Sequence, residues 1–219
     1  MKFTSVSIAV LSEGNNPLLL SPDFLGRNGI TPETWEPKPD GVLVLPPFAR
    51  VLYTSGVEFV LQTDKLLIRA HDPSGKDWTA ELPRMTIAFL ATLPHVAYGA
   101  VGLNFEMRKP APGRGGNDQP GLLDAIVTEG RWREFGGACD VQGVKFRYKL
   151  ADAVLLNLTV EIVQETDNDN TTEQFRFDAN FHHDFKSGQD NERRAYINTL
   201  CTRHEQIMEL LERFSGAQS

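Results

Sequence analysis

The segment "QFRFDANFHHDF", residues 174–185, decides the fold because its apolar and polar residues alternate. Successive side chains of a β-strand point to opposite faces of the sheet. One face of this segment carries Phe175, Phe177, Ala179, Phe181 and Phe185, with His183 among them. The other face carries Arg176, Asp178, Asn180, His182 and Asp184. The pattern predicts a strand that packs its aromatic rings against a core and turns its ionisable groups away from it.

The ionisable groups of this segment raise the question of a catalytic or metal site. If the protein is an enzyme, the candidate catalytic residues are His182, Asp184, Asp178 and Glu161. Residues i and i+4 of a strand lie about 13 Å apart, so Asp178 and His182 cannot form a compact site by themselves. A polar sheet surface with ion pairs between strands is the better interpretation, with no metal and no cofactor. A metal-dependent hydrolase that uses this polar face is the alternative.

Two earlier segments extend the same pattern. "AVLLNLTVEIV" (153–163) and "VKFRYKL" (144–150) both alternate between apolar and polar residues. If they pair with residues 175–185, the polar face gains Asn157, Thr159, Glu161, Lys145, Arg147 and Lys149. The three basic residues could contact nucleic acid, but the net charge of −7 disfavours that partner.

Residues 109–121, "KPAPGRGGNDQPG", are rich in Gly and Pro, and they predict a linker between two similar-sized halves. Residues 1–110 form an N-terminal α+β half of strands, one helix and a strand. Residues 111–219 form a C-terminal half of a helix, a three-stranded meander and a long closing helix, packed with the first half as one unit. The expected fold is α+β, with antiparallel sheets and helices packed on one face.

Individual elements follow from periodicity and from proline. The spacing predicts helices over 82–93, 121–135 and 190–214, the last with His204 packed on its apolar stripe. Five prolines between residues 17 and 40 predict an irregular loop with one short turn. "GVLVLPPFARVLY" (41–53) predicts a strand broken at Pro46 and Pro47, at a sheet edge or a bulge.

Sequence features also bear on the cellular compartment in which the chain is expected. The N-terminal residues alternate like a strand and do not resemble a signal sequence, and no apolar run reaches the roughly 20 residues that cross a bilayer. Cys139 and Cys201 lie far apart and have no CxxC spacing, which favours a reduced, cytoplasmic chain without membrane contact.

The layout resembles a sporadically distributed, functionally uncharacterised family of prokaryotic proteins. The similarity rests on "LLIRAHDPSGKDW", "YGAVGLNFEMR" and "FDANFHHDF" followed by a closing helix, and it implies a two-part α+β fold. It implies no catalytic residues. The last three strands and the helix are also similar in order to the export chaperone SecB, whose sheet binds unfolded segments and pairs subunits.

These observations predict a non-enzymatic protein-interaction or self-associating module. Its exposed sheet face or its edge strands would bind another protein or another copy of the chain, giving a homo-oligomer. A SecB-like chaperone or binding protein is a further alternative.

Overall fold

The computed structural model describes residues 2–74, 77–111, 123, 126–127, 141–151, 153–167, 170–186 and 188–216. Its strands are β1 (Lys2–Glu13), β2 (Pro37–Leu45), β3 (Phe48–Tyr53), β4 (Val57–Gln62), β5 (Lys65–His71), β6 (Ala97–Pro110), β7 (Gly143–Lys149), β8 (Leu155–Asp167) and β9 (Asn170–His183). Its α-helices are α1 (Pro22–Arg27), α2 (Trp78–Thr92), α3 (Asp190–Ile197) and α4 (Leu200–Gly216), preceded by a 3-10 turn (Pro17–Leu19).

The nine strands found among the described residues belong to one sheet in the order β2-β3-β4-β5-β1-β6-β9-β8-β7. Every neighbouring pair is antiparallel. The prediction of an α+β fold built on an antiparallel sheet is confirmed, although the chain is richer in strand than the sequence indicates. Strand β6 pairs with β9, so residues from both predicted halves lie in the same sheet.

The register of the strands brings the apolar residues onto one face of the sheet. Ile8 of β1 lies opposite Ile68 on one side and Leu103 on the other, and Leu103 lies opposite Phe181 of β9. These four side chains are fully buried. A Phe, Leu or Ile side chain that leaves water completely contributes about 1.5–3 kcal/mol, so this face supplies much of the stability. We call it the core face and the opposite one the polar face.

The alternation predicted for residues 175–185 is confirmed along β9. Its aromatic residues are buried on the core face, whereas Asp178 and His182 are half-buried on the polar face. The strands β8 and β7 place their polar residues on the predicted face, because Asn157 lies opposite Asn180 and Arg147 lies opposite Asn157.

Residues of the helices contact side chains of the core face. The His204 ring of α4 lies 4.6 Å from the Phe3 ring, and the Tyr196 hydroxyl of α3 donates a hydrogen bond to the Phe181 carbonyl at 2.8 Å. At the far end, the Phe214 ring lies 5.6 Å from the Phe146 ring of β7. His204 is therefore a packed histidine, as its position on the apolar stripe predicts.

The prediction of an irregular loop over residues 17–40 is wrong in part. The prolines begin helical segments there, because Pro17 and Pro22 occupy first-turn positions where a missing N–H is tolerated. Side chains cap both segments: Asn16 accepts a hydrogen bond from the Leu18 N–H, and Ser21 accepts one from the Phe24 N–H. The strand β2 then begins at Pro37.

Two boundaries in the first half differ from the sequence interpretation. Residues 41–53 form two paired strands joined at Pro46 and Pro47, where a single interrupted strand was predicted. The helix predicted from residue 82 begins at Trp78, so that Pro83 lies inside α2.

The closing helix is not continuous. Asn198 and Thr199 separate α3 from α4, because the Thr199 N–H and hydroxyl both donate to the Tyr196 carbonyl, at 2.9 and 2.7 Å. Such i to i+3 bonding tightens the last turn and ends the regular helix. The polar Asn-Thr pair is the sequence signal for this break.

The predicted linker begins later than expected, since Lys109 and Pro110 belong to β6 and pair with Phe175 and Gln174. Residues 112–120 lie outside the described residues. The helix predicted over 121–135 also lies outside them, except for Leu123, Ile126 and Val127.

Candidate functional site

The four candidate catalytic residues lie at two separate places on the polar face. Asp178 and Glu161 both form ion pairs with Arg176, and the Asp178 Oδ2 lies 3.0 Å from the Arg176 Nε. Burial raises the pKa of Asp178 above its usual value, and Glu106 and Glu161 raise it further, while Arg176 opposes them. These two acids are therefore held in a structural ion-pair cluster.

His182 and Asp184 lie at the end of β9. The His182 Nε2 is 3.1 Å from the Asp184 Oδ1, and the Asp184 side chain is 84% exposed. Asp184 lies beyond the last strand residue, His183. In the parts of the chain that the structure describes, no group of three or more His, Cys, Asp or Glu residues could hold a metal ion. His182 and Asp184 thus form a two-residue pair on the surface.

A row of polar side chains crosses the middle of the polar face. The Arg147 Nε donates to the Asn157 Oδ1 at 3.0 Å, and the Asn157 Nδ2 donates to the Asn180 Oδ1 at 3.4 Å. The Asn180 Nδ2 donates in turn to the Asn104 Oδ1 at 2.6 Å. The three asparagines occupy directly opposed positions on β8, β9 and β6. This ladder links adjacent strands and satisfies half-buried amides, so it stabilises the sheet.

A second polar group lies where β4 and β5 pair. The His71 Nε2 is 3.0 Å from the Glu58 Oε2, and the Arg69 guanidinium is 3.7 Å from the same oxygen. The hydrogen bond from His71 is the main cause of a lowered pKa at Glu58, which outweighs the effect of burial. Glu58 is therefore a buried carboxylate whose charge is compensated by its neighbours.

A cavity of about 430 Å³ lies on the core-face side, between the start of β1, the start of α2 and α4. Phe3, Trp78 and His204 line it, with Lys2 and Asp77 among its polar residues. Burial lowers the pKa of His204. The Lys2 ammonium is 3.2 Å from the Asp72 carboxylate, so its charge is already compensated.

Four of the seven exposed large apolar residues in the described parts of the chain lie on β2, at the edge of the sheet. The exposed fractions are 41% for Val42, 42% for Leu43, 38% for Val44 and 48% for Leu45. Leu18 and Leu19, which are also exposed, lie in the 3-10 turn that contacts β2 and β3. Of the large apolar residues exposed in the described parts of the chain, only Leu11 lies elsewhere. Apolar residues clustered in this way typically mark an interaction surface.

The backbone of β2 also faces outward. Pro46 and Pro47 form a two-residue turn, and Leu45 pairs with Phe48 across it. If Leu45 and Phe48 were a non-hydrogen-bonded pair, the next bond of the ladder would need the N–H of residue 46, which proline lacks. Leu45 and Phe48 are therefore a hydrogen-bonded pair. Because the two kinds of pair alternate along a strand, Leu43 and Leu45 bond to β3. The N–H and C=O groups of the alternate residues, Val42 and Val44, point away from β3. No strand occupies that side of β2 among the described residues.

The available edge is short. Asp40 has a positive φ of 55°, and the pairing with β3 shifts register between Pro37 and Val42. A Cβ on Gly41 would lie 2.5 Å from the Leu52 carbonyl oxygen, so glycine is required for this irregular approach. The regular edge therefore extends from Val42 to Leu45.

The opposite edge, β7, carries the charged residues Lys145, Arg147 and Lys149 between its half-buried apolar residues. Charged residues on an edge strand, lysine above all, oppose pairing with another chain. Residues 42–45 of β2 carry no charge, so this stretch lacks the protection that the charged residues give β7.

Sequence reasoning placed Asn157 and Asn180 correctly on the polar face, but it missed Asn104 as their partner. The alternation of β6 could have revealed it, since Asn104 lies between the core residues Leu103 and Phe105. Sequence reasoning placed residues 41–53 at a sheet edge or a bulge, but it did not single out their exposed apolar run as an interaction surface. The signal was the run "VLVL" directly before Pro46 and Pro47.

In comparisons with known proteins, no family model and no curated sequence matches this chain. The resemblance drawn from the sequence stays a prediction. Among the residues that the structure describes, no helix combines the length and the apolar character needed to span a membrane.

Proposed function

We propose that this protein is a non-enzymatic interaction module that binds an extended protein segment along the β2 edge. The observation that carries the proposal is the coincidence, on Val42–Leu45, of exposed apolar side chains with outward-pointing backbone groups. An extended segment added to such an edge gains main-chain hydrogen bonds from the strand, and alternate side chains give specificity.

The layering of the fold supports the choice of an edge. We infer that α3 and α4 cover the core face, because the His204 ring contacts the Phe3 ring and the Phe214 ring contacts the Phe146 ring, both on core-face residues. The polar face then meets solvent. Several of its charged groups, such as Arg176, Asp178 and Glu161, already form ion pairs with one another, so a partner that covered it would have to desolvate compensated charges. An apolar edge carries no such penalty.

The alternatives receive less support. A metal-dependent hydrolase would need Asp178, Glu161, His182 and Asp184 to converge, but two of them bind Arg176 and the other two bind each other. A SecB-like chaperone would bind unfolded segments, and the β2 edge offers only a short apolar strand for this. The exposed leucines of the 3-10 turn beside β2 would widen that surface.

Selection of short random peptides displayed on phage, followed by calorimetric titration, tests the proposal. We expect selected peptides to be rich in β-branched and apolar residues. We also expect their affinity to fall about tenfold or more for Val44→Lys, because a charge at the edge opposes strand addition.

Leu11→Lys is the matched control, since Leu11 is 47% exposed but lies on the central strand β1. It should leave peptide affinity unchanged. Peptides that bind both variants as tightly as the wild type would place the binding surface elsewhere and overturn the proposal.

A further inference from the structure

We infer that the occupant of the β2 edge is a second copy of this chain, paired antiparallel about a two-fold axis through Leu43. This inference rests on the proposed function and names its partner. The two sheets would join edge to edge into one continuous antiparallel sheet. Two-fold pairing is the commonest symmetry of homo-oligomers, and it requires a surface that complements itself.

The backbone selects the register. A two-fold axis perpendicular to the sheet can be centred on Val42, Leu43 or Val44. Centred on Leu43, it places Val42 opposite the partner's Val44, and the outward N–H and C=O groups of both residues form hydrogen-bonded pairs. Centred on Val44, it would place Val42 opposite the partner's Pro46, which has no N–H. Centred on Val42, it would place Val44 opposite Asp40, whose positive φ departs from a regular strand.

The side chains agree with this register. On one face, Val42 contacts the partner's Val44, and β-branched pairs of this kind stabilise antiparallel strands. On the other face, Leu43 meets its own copy across the axis. Leu45 lies opposite the partner's Gly41, which has no side chain to obstruct it. No charged residue of β2 comes directly opposite a like charge, so the edge complements itself.

The other edge does not compete for this position. Pairing of β2 with the β7 edge of another copy would bring exposed leucines against Lys145, Arg147 and Lys149. Such head-to-tail contacts would also continue without closing. Pairing of β2 with itself leaves the two charged β7 edges at the outer ends of the joined sheet, where their charges oppose further growth.

Disulfide cross-linking tests the register directly. Leu43→Cys is made in a chain that also carries Cys139→Ser and Cys201→Ser, so that no native thiol competes. Directly opposed residues of a non-hydrogen-bonded pair have Cα atoms about 4.5 Å apart, within the range of a disulfide. We expect mild oxidation to convert this variant to a covalent dimer.

Leu45→Cys in the same background is the matched control, because its two copies would lie about 13 Å apart, too far for a bond. It should stay uncoupled under the same oxidation. Equal cross-linking of both variants, or of neither, would overturn the register.

Sedimentation equilibrium separates this inference from the proposed function. Wild-type protein should rise from 24.4 kDa towards twice that mass with concentration, and Val44→Lys should stay monomeric. If the chain stays monomeric at every concentration but binds selected peptides at β2, the inference of a second copy at this edge is overturned. The proposed function is then still supported. A dimer that survives Val44→Lys overturns the inference as well.

Discussion

The Asn180 Nδ2 lies 2.6 Å from the Asn104 Oδ1, and this hydrogen bond joins β9 to β6 across the boundary between the two halves of the sequence. Gly102, on the polar face of β6, leaves the space in which the Asn180 amide lies. The ladder therefore depends on a residue that has no side chain.

Gly102→Ala should break this part of the ladder, because the new Cβ would lie 2.8 Å from the Asn180 Nδ2. We expect a loss of about 0.5–1.5 kcal/mol in the free energy of unfolding, the usual contribution of one hydrogen bond. Urea denaturation measures it. Gly99→Ala, whose Cβ would meet only the Leu11 carbonyl at 3.9 Å, should be neutral or stabilising. Equal losses for both variants would contradict this role of the space beside Gly102.

Glu58 should make stability depend on pH in the acid range. Its pKa is lowered below 4.5 by the His71 hydrogen bond, so its contribution is present above pH 4.5 and is lost as pH falls through the folded-state pKa. Glu58→Gln should lower the free energy of unfolding by about 1–2 kcal/mol at pH 7, and the difference should shrink at acid pH. Denaturation at a series of pH values measures it, with the exposed Glu13→Gln as control. A deficit that is constant with pH would show that the charge of Glu58 contributes nothing.

Asp178 should make stability depend on pH in the opposite sense to Glu58. Burial raises its pKa above 3.8, so the folded state holds its proton more tightly and stability falls as pH rises through that window. Asp178→Asn should raise the Tm at pH 7 by about 2 °C, because it removes a half-buried charge. The gain in the free energy of unfolding should stay below ~1 kcal/mol, because the Arg176 ion pair is lost at the same time and half of the group is hydrated. The gain should vanish near pH 3. Calorimetry measures it, and Asp184→Asn is the control; a lower Tm at pH 7 would mean that the ion pair outweighs burial.

The pair of His182 and Asp184 should be dispensable. Because no third His, Cys, Asp or Glu joins this pair among the described residues, purified protein should contain no stoichiometric zinc or manganese by elemental analysis. Replacing both residues by Ala should leave the sedimentation behaviour unchanged. One equivalent of metal, lost in the double variant, would support the hydrolase alternative instead.

Much of the sheet could be predicted from the sequence because a strand with one buried face must alternate. Residues 144–150, 153–163 and 175–185 follow that rule, and the face that each of their residues occupies could be predicted from it, although alternation does not fix which residues lie opposite each other. The breaks could not be predicted so well. Thr199 ends α3 through a side-chain hydrogen bond, and Pro17 and Pro22 begin helical segments through local caps, so periodicity alone does not reveal them.

The candidate site was harder to predict, since it depends on which strand lies outermost. The run of residues 42–45 is apolar on both faces, a composition that also suits a strand in the centre of a sheet. Pro46 and Pro47 indicate an edge or a bulge, and the strand order decides between them, because it leaves one side of β2 without a partner among the described residues. The ion pairs of Asp178 and Glu161 likewise depend on the distance to Arg176.

Residue-resolved amide exchange along β2, measured by NMR in dilute and in concentrated protein, tests the central claim most directly. The Val42 and Val44 amides should exchange rapidly when dilute and slow down as the protein associates, while the Leu43 and Leu45 amides stay protected by β3 throughout. Rapid exchange at Val42 and Val44 in protein that has associated would contradict the claim that this edge is the binding surface.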